Sequence, residues 1–192
     1  MASTVCNALS ASLLSRRCLV PGGVKTRMWV GQVADIGART FNTGGALSSF
    51  VLAAGSRFIT VTGRARKGSG ASKITKTEDG APSVEQTLVL ELSYNTAQEA
   101  KDAMNFLRSE FKTVFLESNG GTIRQYFAEF GDQSAEGDTG TGTVIGDASN
   151  ILKITLKGTE QDLPLFFESV LPNGQTDQLV ASRTYLDALV TP

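Results

Sequence analysis

Hydrophobic and polar positions alternate with a period of two along most of this chain, and follow a helical period over one stretch. Val84–Tyr94 is the clearest strand pattern: Leu88, Leu90 and Leu92 fall on one face, Val89, Glu91 and Ser93 on the other. Asn150–Lys157 repeats it, with Leu152, Ile154 and Leu156 set against Ile151, Lys153 and Thr155. Shorter runs predict strands at Thr26–Val33, Arg57–Gly63, Thr113–Glu117 and Thr122–Phe130, the last two joined by a hairpin turn at Asn119-Gly120-Gly121. Leu163–Val170, with Pro164 favouring an edge, is predicted to return against Asn150–Lys157 through a turn at Lys157–Glu160. Ala34–Gly45 and the acidic, Gly- and Thr-rich Gly131–Gly142 read as loops. Leu47–Ala54 fits strand or helix, and so does Asp177–Pro192.

The helical stretch is Ala97–Lys112. Thr96-Ala97-Gln98-Glu99 forms a capping box, in which the Thr96 hydroxyl and the Glu99 carboxylate each satisfy a backbone N–H of the other residue. Ala100, Met104, Leu107 and Phe111 follow at helical spacing and predict the docking face. The expected fold is mainly β: a β-barrel or sandwich with one packed helix, formed by residues 24–192 as a single domain. An N-terminal arm, residues 1–23, precedes it and ends in the turn signal Pro21-Gly22-Gly23. Arg57 to Tyr94 predicts two strands joined by a long extended hairpin. Its tip, the inserted segment 64–82, carries Arg64, Arg66, Lys67, Lys73 and Lys76, and Lys73–Thr77 within it fits a short strand. A loop this long with no core of its own is usually functional, and in an assembly it would order against a neighbour.

Charge sharpens this picture. Eighteen Lys and Arg against nineteen Asp and Glu leave a formal net charge of −1, which favours association and disfavours wholesale wrapping of nucleic acid. The balance is uneven along the chain: Arg16, Arg17, Lys25 and Arg27 precede the first acid, Asp35. The first residues therefore read as a solvated or interfacial arm, with a transit peptide as the alternative. No run approaches the ~18–20 apolar residues that span a bilayer. Both cysteines, Cys6 and Cys18, lie in the arm and read as reduced thiols.

Candidate chemistry is sparse. The chain has no His, so Ser-His-Asp and Cys-His catalysis are excluded, and a zinc site would need its ligands from two Cys and carboxylates. Gly63–Ser69 imitates the start of a phosphate-binding loop, but Ser69 stands where the Lys is needed. Gly140–Gly146 departs from the dinucleotide fingerprint in spacing. Asp132–Asp138 begins like a calcium loop, yet Thr143 occupies the position of the bidentate Glu. No cofactor is expected. Carboxylate or Ser/Lys enzymology, whose spacing the fold would set, stays open as an alternative.

The order of elements resembles the tail-tube (major tail) proteins of bacteriophages and the related tube proteins of contractile injection systems. The resemblance rests on the arm followed by the early strand Lys25–Ile36, the long excursion from Arg57 to Tyr94, the single helix Thr96–Phe111 between strand groups, and the late hairpin Ile151–Phe167. It implies a hexameric ring built around a central β-barrel, with rings stacked into a hollow tube that conducts DNA inside a virion tail assembled in the host cytoplasm. It implies contacts with the adjacent subunit or ring through the hairpin (Arg64, Arg66, Lys67, Lys73, Lys76) and the arm (Arg16, Arg17), with the helix outside the barrel. Other implied partners are sheath, tape-measure, baseplate or terminator proteins. The lumen should be polar and not basic, so that passing phosphates are not held. The face bearing Glu85, Thr87, Glu91 and Ser93, interrupted by Val89, is the lumen candidate. The alternatives are another small virion part (tail terminator, neck ring or head decoration protein) and a monomeric ligand-binding barrel, which would need a large apolar cavity.

Overall fold

Eleven strands and two helices are present in the computed structural model, which describes residues 24–63, 68–76, 82–94, 96–140 and 151–190. They are β1 (Val24–Gln32), β2 (Ile36–Phe41), β3 (Leu47–Leu52), β4 (Ile59–Thr62), β5 (Ser69–Lys76), β6 (Pro82–Ser93), α1 (Ala97–Arg108), β7 (Lys112–Ser118), β8 (Ile123–Tyr126), β9 (Ser134–Gly140), β10 (Ile151–Glu160), β11 (Leu165–Phe167) and α2 (Gln178–Ala188). Seven strands form one sheet in the order β2-β3-β11-β8-β7-β1-β4, and four form a second in the order β5-β6-β10-β9. Among the described residues neither sheet closes on itself, and the arrangement is a sandwich.

Alternation along β1 explains the layering. Met28 and Val30 point to one face and join Leu88, Leu90, Leu152, Ile154 and Leu156 in the core between the sheets. Trp29 points the other way, into a second core with Phe50, Phe58, Phe115, Phe167 and Leu186 of α2. The larger sheet is thus buried on both faces and the smaller sheet on one. Aromatic packing sets the second core: Phe50 stacks on Phe115 at 5.3 Å between centroids, and Phe167 meets Phe115 edge-on at 5.3 Å.

The capping box of α1 forms as expected: the Glu99 N–H donates to Thr96 Oγ1 (3.1 Å), and the Thr96 N–H to Glu99 Oε2 (3.2 Å). The docking face differs from the expected one. Phe106 is the buried residue, with Ala103 and Leu107 packed beside it. Ala100 is half-buried, while Met104 and Phe111 are 43% and 56% exposed. The two candidate stripes differ by about one residue's rotation, and the larger Phe106 ring takes the core. The helix also stops at Arg108, because Lys112 must enter β7, so Phe111 is not helical at all.

The chain's C-terminal region forms α2, capped by Asp177, whose carboxylate accepts from the N–H groups of Leu179 (2.9 Å) and Val180 (3.2 Å). Buried Glu117 of β7 ties α2 to the sheet through two bonds from Arg183 (2.8 and 2.6 Å), and it also pairs with Lys25 of β1 (2.5 Å). Asp187 accepts from Trp29 Nε1 (2.7 Å) and from Arg27 (2.5 Å).

Three further expectations are corrected. The late hairpin does not exist: β10 continues to Glu160, and β11 crosses to the other sheet, between β8 and β3. The expected turn stays extended because Gly158 is packed; a Cβ there would lie 2.6 Å from the Gly131 carbonyl oxygen and 2.8 Å from Phe127. The expected loop at Gly131–Gly142 contains β9, since pairing with β10 overrides the weak strand preference of Gly and Asp. The excursion from Arg57 to Tyr94 is divided between the sheets, with β4 in one and the hairpin β5–β6 in the other.

Burial raises the Glu117 carboxyl's pKa, but the bonds and charges of Arg183 and Lys25 outweigh it and hold it below the ordinary value. A lowered carboxylate pKa stabilises the fold above the ordinary carboxylate range, and that stability is lost as pH falls through the lowered value. Glu117→Gln should therefore cost about 1–3 kcal/mol at pH 7, towards the lower end because both cations keep some solvent. Denaturant titrations across pH should show the gap to the unmodified protein closing in acid; a gap independent of pH would contradict this role.

Candidate functional site

The candidate site is the four-stranded sheet. Its core face is apolar and its other face is polar, and the pairing registers place the polar rows. Lys73 of β5 lies opposite Glu85 of β6, which lies opposite Thr159 of β10. Thr87 is opposite Lys157, and Lys157 opposite Ser134; Glu91 is opposite Lys153, and Lys153 opposite Asp138. Glu85, Thr87, Glu91 and Ser93 thus share one face with Val89, as their alternation requires, while Val84, Gln86, Leu88 and Leu90 are buried on the other. The polar face is not purely acidic. Lys73, Lys153 and Lys157 interleave with Glu85, Glu91, Glu136 and Asp138, and Lys157 approaches Glu136 at 3.9 Å.

The edges of this sheet are long and regular. β5 has eight residues and β9 seven, their pairings run without a register shift, and among the described residues no strand lies beyond either. Every residue of β5 is exposed. Opposite charges mark the two edges: β5 carries Lys73 and Lys76 and no acid, while β9 carries Glu136 and Asp138 and no base. The larger sheet's edges are blunted instead. β4 has four residues, and the β2–β3 pairing slips twice, between Ile36 and Arg39 and between Thr40 and Phe41.

A second feature lies at the end of the sandwich where β1 finishes. Phe111 holds a left-handed backbone (φ 57) and Phe130 is 45% exposed; both line an open cleft of about 480 Å³ with Val33, Ala34 and Glu110. The loops carrying these rings are locked from behind. Buried Lys112 pairs with buried Asp132 (3.0 Å), and the Lys112 and Asp132 backbones bond to each other's residue. The Glu160 carboxylate accepts from the N–H groups of Glu129 (2.8 Å), Phe130 (3.1 Å) and Gly131 (3.2 Å). Burial keeps the Glu160 pKa above the ordinary value despite these bonds. A raised carboxylate pKa favours the fold at low pH, and that contribution fades as pH rises through the raised value.

Of the expected contact residues, Lys73 and Lys76 lie on strand β5, which is longer than the short strand expected at Lys73–Thr77. Arg64, Arg66, Lys67, Arg16 and Arg17 lie outside the described residues. Glu136 and Asp138 were missed because their segment read as loop; the alternation of Ser134, Glu136 and Asp138 with Ala135 and Gly137 was the available signal. The start of the supposed calcium loop is spent on structure, with Asp132 buried in its ion pair. Among the described residues no group of three or more His, Cys, Asp or Glu is placed to hold a metal, and no helix is long and apolar enough to cross a membrane. Compared with known protein families, curated proteins and solved structures, the chain matches none.

Removing the Glu160 carboxylate should release the loop behind Phe130. In Glu160→Ala, hydrogen exchange at Phe130 and Gly131 should quicken by about tenfold or more, with β6 and β7 amides much less affected. Unchanged protection at these two amides would show that the carboxylate does not hold the loop.

Proposed function

We propose that this protein is a structural subunit that closes into rings of identical copies, the rings stacking into a tail tube of the bacteriophage type that conducts DNA. The carrying observation is the pair of long, regular, oppositely charged edges on the four-stranded sheet. Unpaired edge strands are hazards that proteins normally blunt, as the larger sheet does here. On the smaller sheet, like charges discourage β5 from pairing with β5 and β9 with β9, while opposite charges favour β5 with β9 of the next copy.

Geometry supports the same contact. All neighbours in the sheet are antiparallel and their number is even, so β9 runs opposite to β5. A β9–β5 junction between copies then continues the antiparallel pattern. It is a heterologous contact, which gives a closed ring when its rotation closes. Six copies, the number the resemblance implies, would make one continuous barrel with no free edge. Its polar rows, with Glu85, Thr87, Glu91 and Ser93, would line the lumen. Lysines there alternate with carboxylates, so no uninterrupted cationic track would hold a passing phosphate backbone. The role is non-catalytic, and sheath, tape-measure, baseplate or terminator proteins are the partners of such a tube.

Charge exchange at the edges tests the junction. Lys73→Glu alone, or Glu136→Lys with Asp138→Lys, should lower assembly by about tenfold or more at low salt without unfolding these exposed positions. The chain carrying all three changes should recover it, read by sedimentation and electron microscopy. Assembly that ignores the single-edge reversals, or a triple variant that fails to recover, would contradict the junction. Rings that never stack would redirect the reading to a terminator or neck ring.

A further inference from the structure

Lys112 and Asp132 face each other away from solvent. Nζ lies 3.0 Å from Asp132 Oδ2, and the two side chains are only 2% and 3% exposed. Lysines are rarely buried so completely. Backbone geometry drives this pair together. Each residue follows one with a left-handed backbone, Phe111 (φ 57) and Gly131 (φ 83). A bulky residue seldom adopts that conformation, and such strain gathers where a site requires it. The two turns pack on each other, since a Cβ on Gly131 would lie 2.6 Å from Phe111 Cα. The Asp132 N–H donates to the Lys112 carbonyl (3.1 Å), and the Lys112 N–H donates to Asp132 Oδ1. The Glu160 carboxylate holds the Asp132 loop from its other end by accepting from the Phe130 and Gly131 N–H groups.

This arrangement holds an amine against a carboxyl group in the geometry of a reaction. Fixing the two groups in contact removes the entropy of bringing them together. The Lys112 N–H on Oδ1 is placed to stabilise charge developing on that oxygen. Burial narrows the gap between the ion pair and its neutral form, because only the charged form loses strong hydration. We propose that Lys112 and Asp132 condense after folding into an intramolecular isopeptide bond. One proton passes from the ammonium to Oδ2. The neutral amine attacks Cγ, the C–N bond forms and the C–Oδ2 bond breaks. Oδ2 leaves as water with the transferred proton and a second one from Nζ. Nothing is oxidised or reduced, and the net charge of the chain is unchanged. The new amide keeps one N–H for the Ser109 carbonyl, to which Nζ already donates, and Oδ1 keeps the Lys112 N–H. The product therefore leaves neither of these buried partners unsatisfied. An open cleft of about 670 Å³, lined by Lys112, Ser109 and Phe106, gives the water an exit. The bond would close a covalent loop around β7 and β8, joining the first residue of β7 to the segment that leads into β9. Such a crosslink restricts the unfolded chain. It does not depend on the ring junction.

Mass spectrometry of the unmodified, full-length chain tests the bond. After the folded protein has stood for days, trypsin should yield one branched peptide in which residues 109–124 are joined to residues 125–153, because an acylated Lys112 is no longer cleaved. Its mass should be lower by one water, about 18 Da, than the sum of its two parts. Lys112→Arg keeps the positive charge and should give only linear peptides and the full mass. Recovery of the linear peptides 109–112 and 113–124 from most of the unmodified chain would overturn the proposal, whether or not the variant folds. A water lost at another residue, with Lys112 still cleaved, would overturn it equally.

Discussion

Backbone N–H and C=O groups at a sheet edge need partners, and the account depends on where, among the described residues, no neighbouring strand supplies them. Two edges are blunted by shortness and slipped register, while two are long, flat in register and of opposite charge. The same sheet that presents the open edges is solvated on its polar face and anchored on its other face by Leu88, Leu90, Ile154 and Leu156. Edge pairing between copies would leave that anchored face untouched, so a ring could form without repacking the subunit.

The rest of the fold packs against this sheet or behind the layer it rests on. The seven-stranded sheet is its platform, filled on one side by the shared core and on the other by the aromatic cluster under α2. α1 supports the β9 edge directly: Leu107 packs under Gly137, where a Cβ would come within 2.8 Å of it. On the opposite edge Gly70 of β5 lies against the Tyr126 ring, with a Cβ position 2.5 Å from its hydroxyl. Glycine at each of these places lets an edge strand sit close on the layer beneath, which fixes the spacing of both edges.

Local pattern carried much of this in the sequence. The alternation in Val84–Tyr94 and Asn150–Lys157 placed β6, β10 and their two faces correctly, and the capping box placed the start of α1. What could not be read depends on contacts distant in sequence. β9 is a strand because β10 pairs with it. β10 extends through a Gly-containing turn signal because Phe127 and Gly131 close over Gly158. Phe106, and not Met104, is the helix residue buried in the core, with Lys112 over its ring. The division of Arg57–Tyr94 between two sheets has no local signature, and the short strand read at Lys73–Thr77 proves to be part of the longer edge strand β5. The acidic edge β9 was hidden because its Gly- and Thr-rich segment read as a loop.

The most direct measurement is negative-stain electron microscopy of the purified, unmodified chain, with its mass in solution taken at the same concentration. The account predicts closed rings of uniform diameter and stacked tubes built from them. A monodisperse monomer that stays monomeric as concentration rises, with its β5 and β9 edges open, would contradict it.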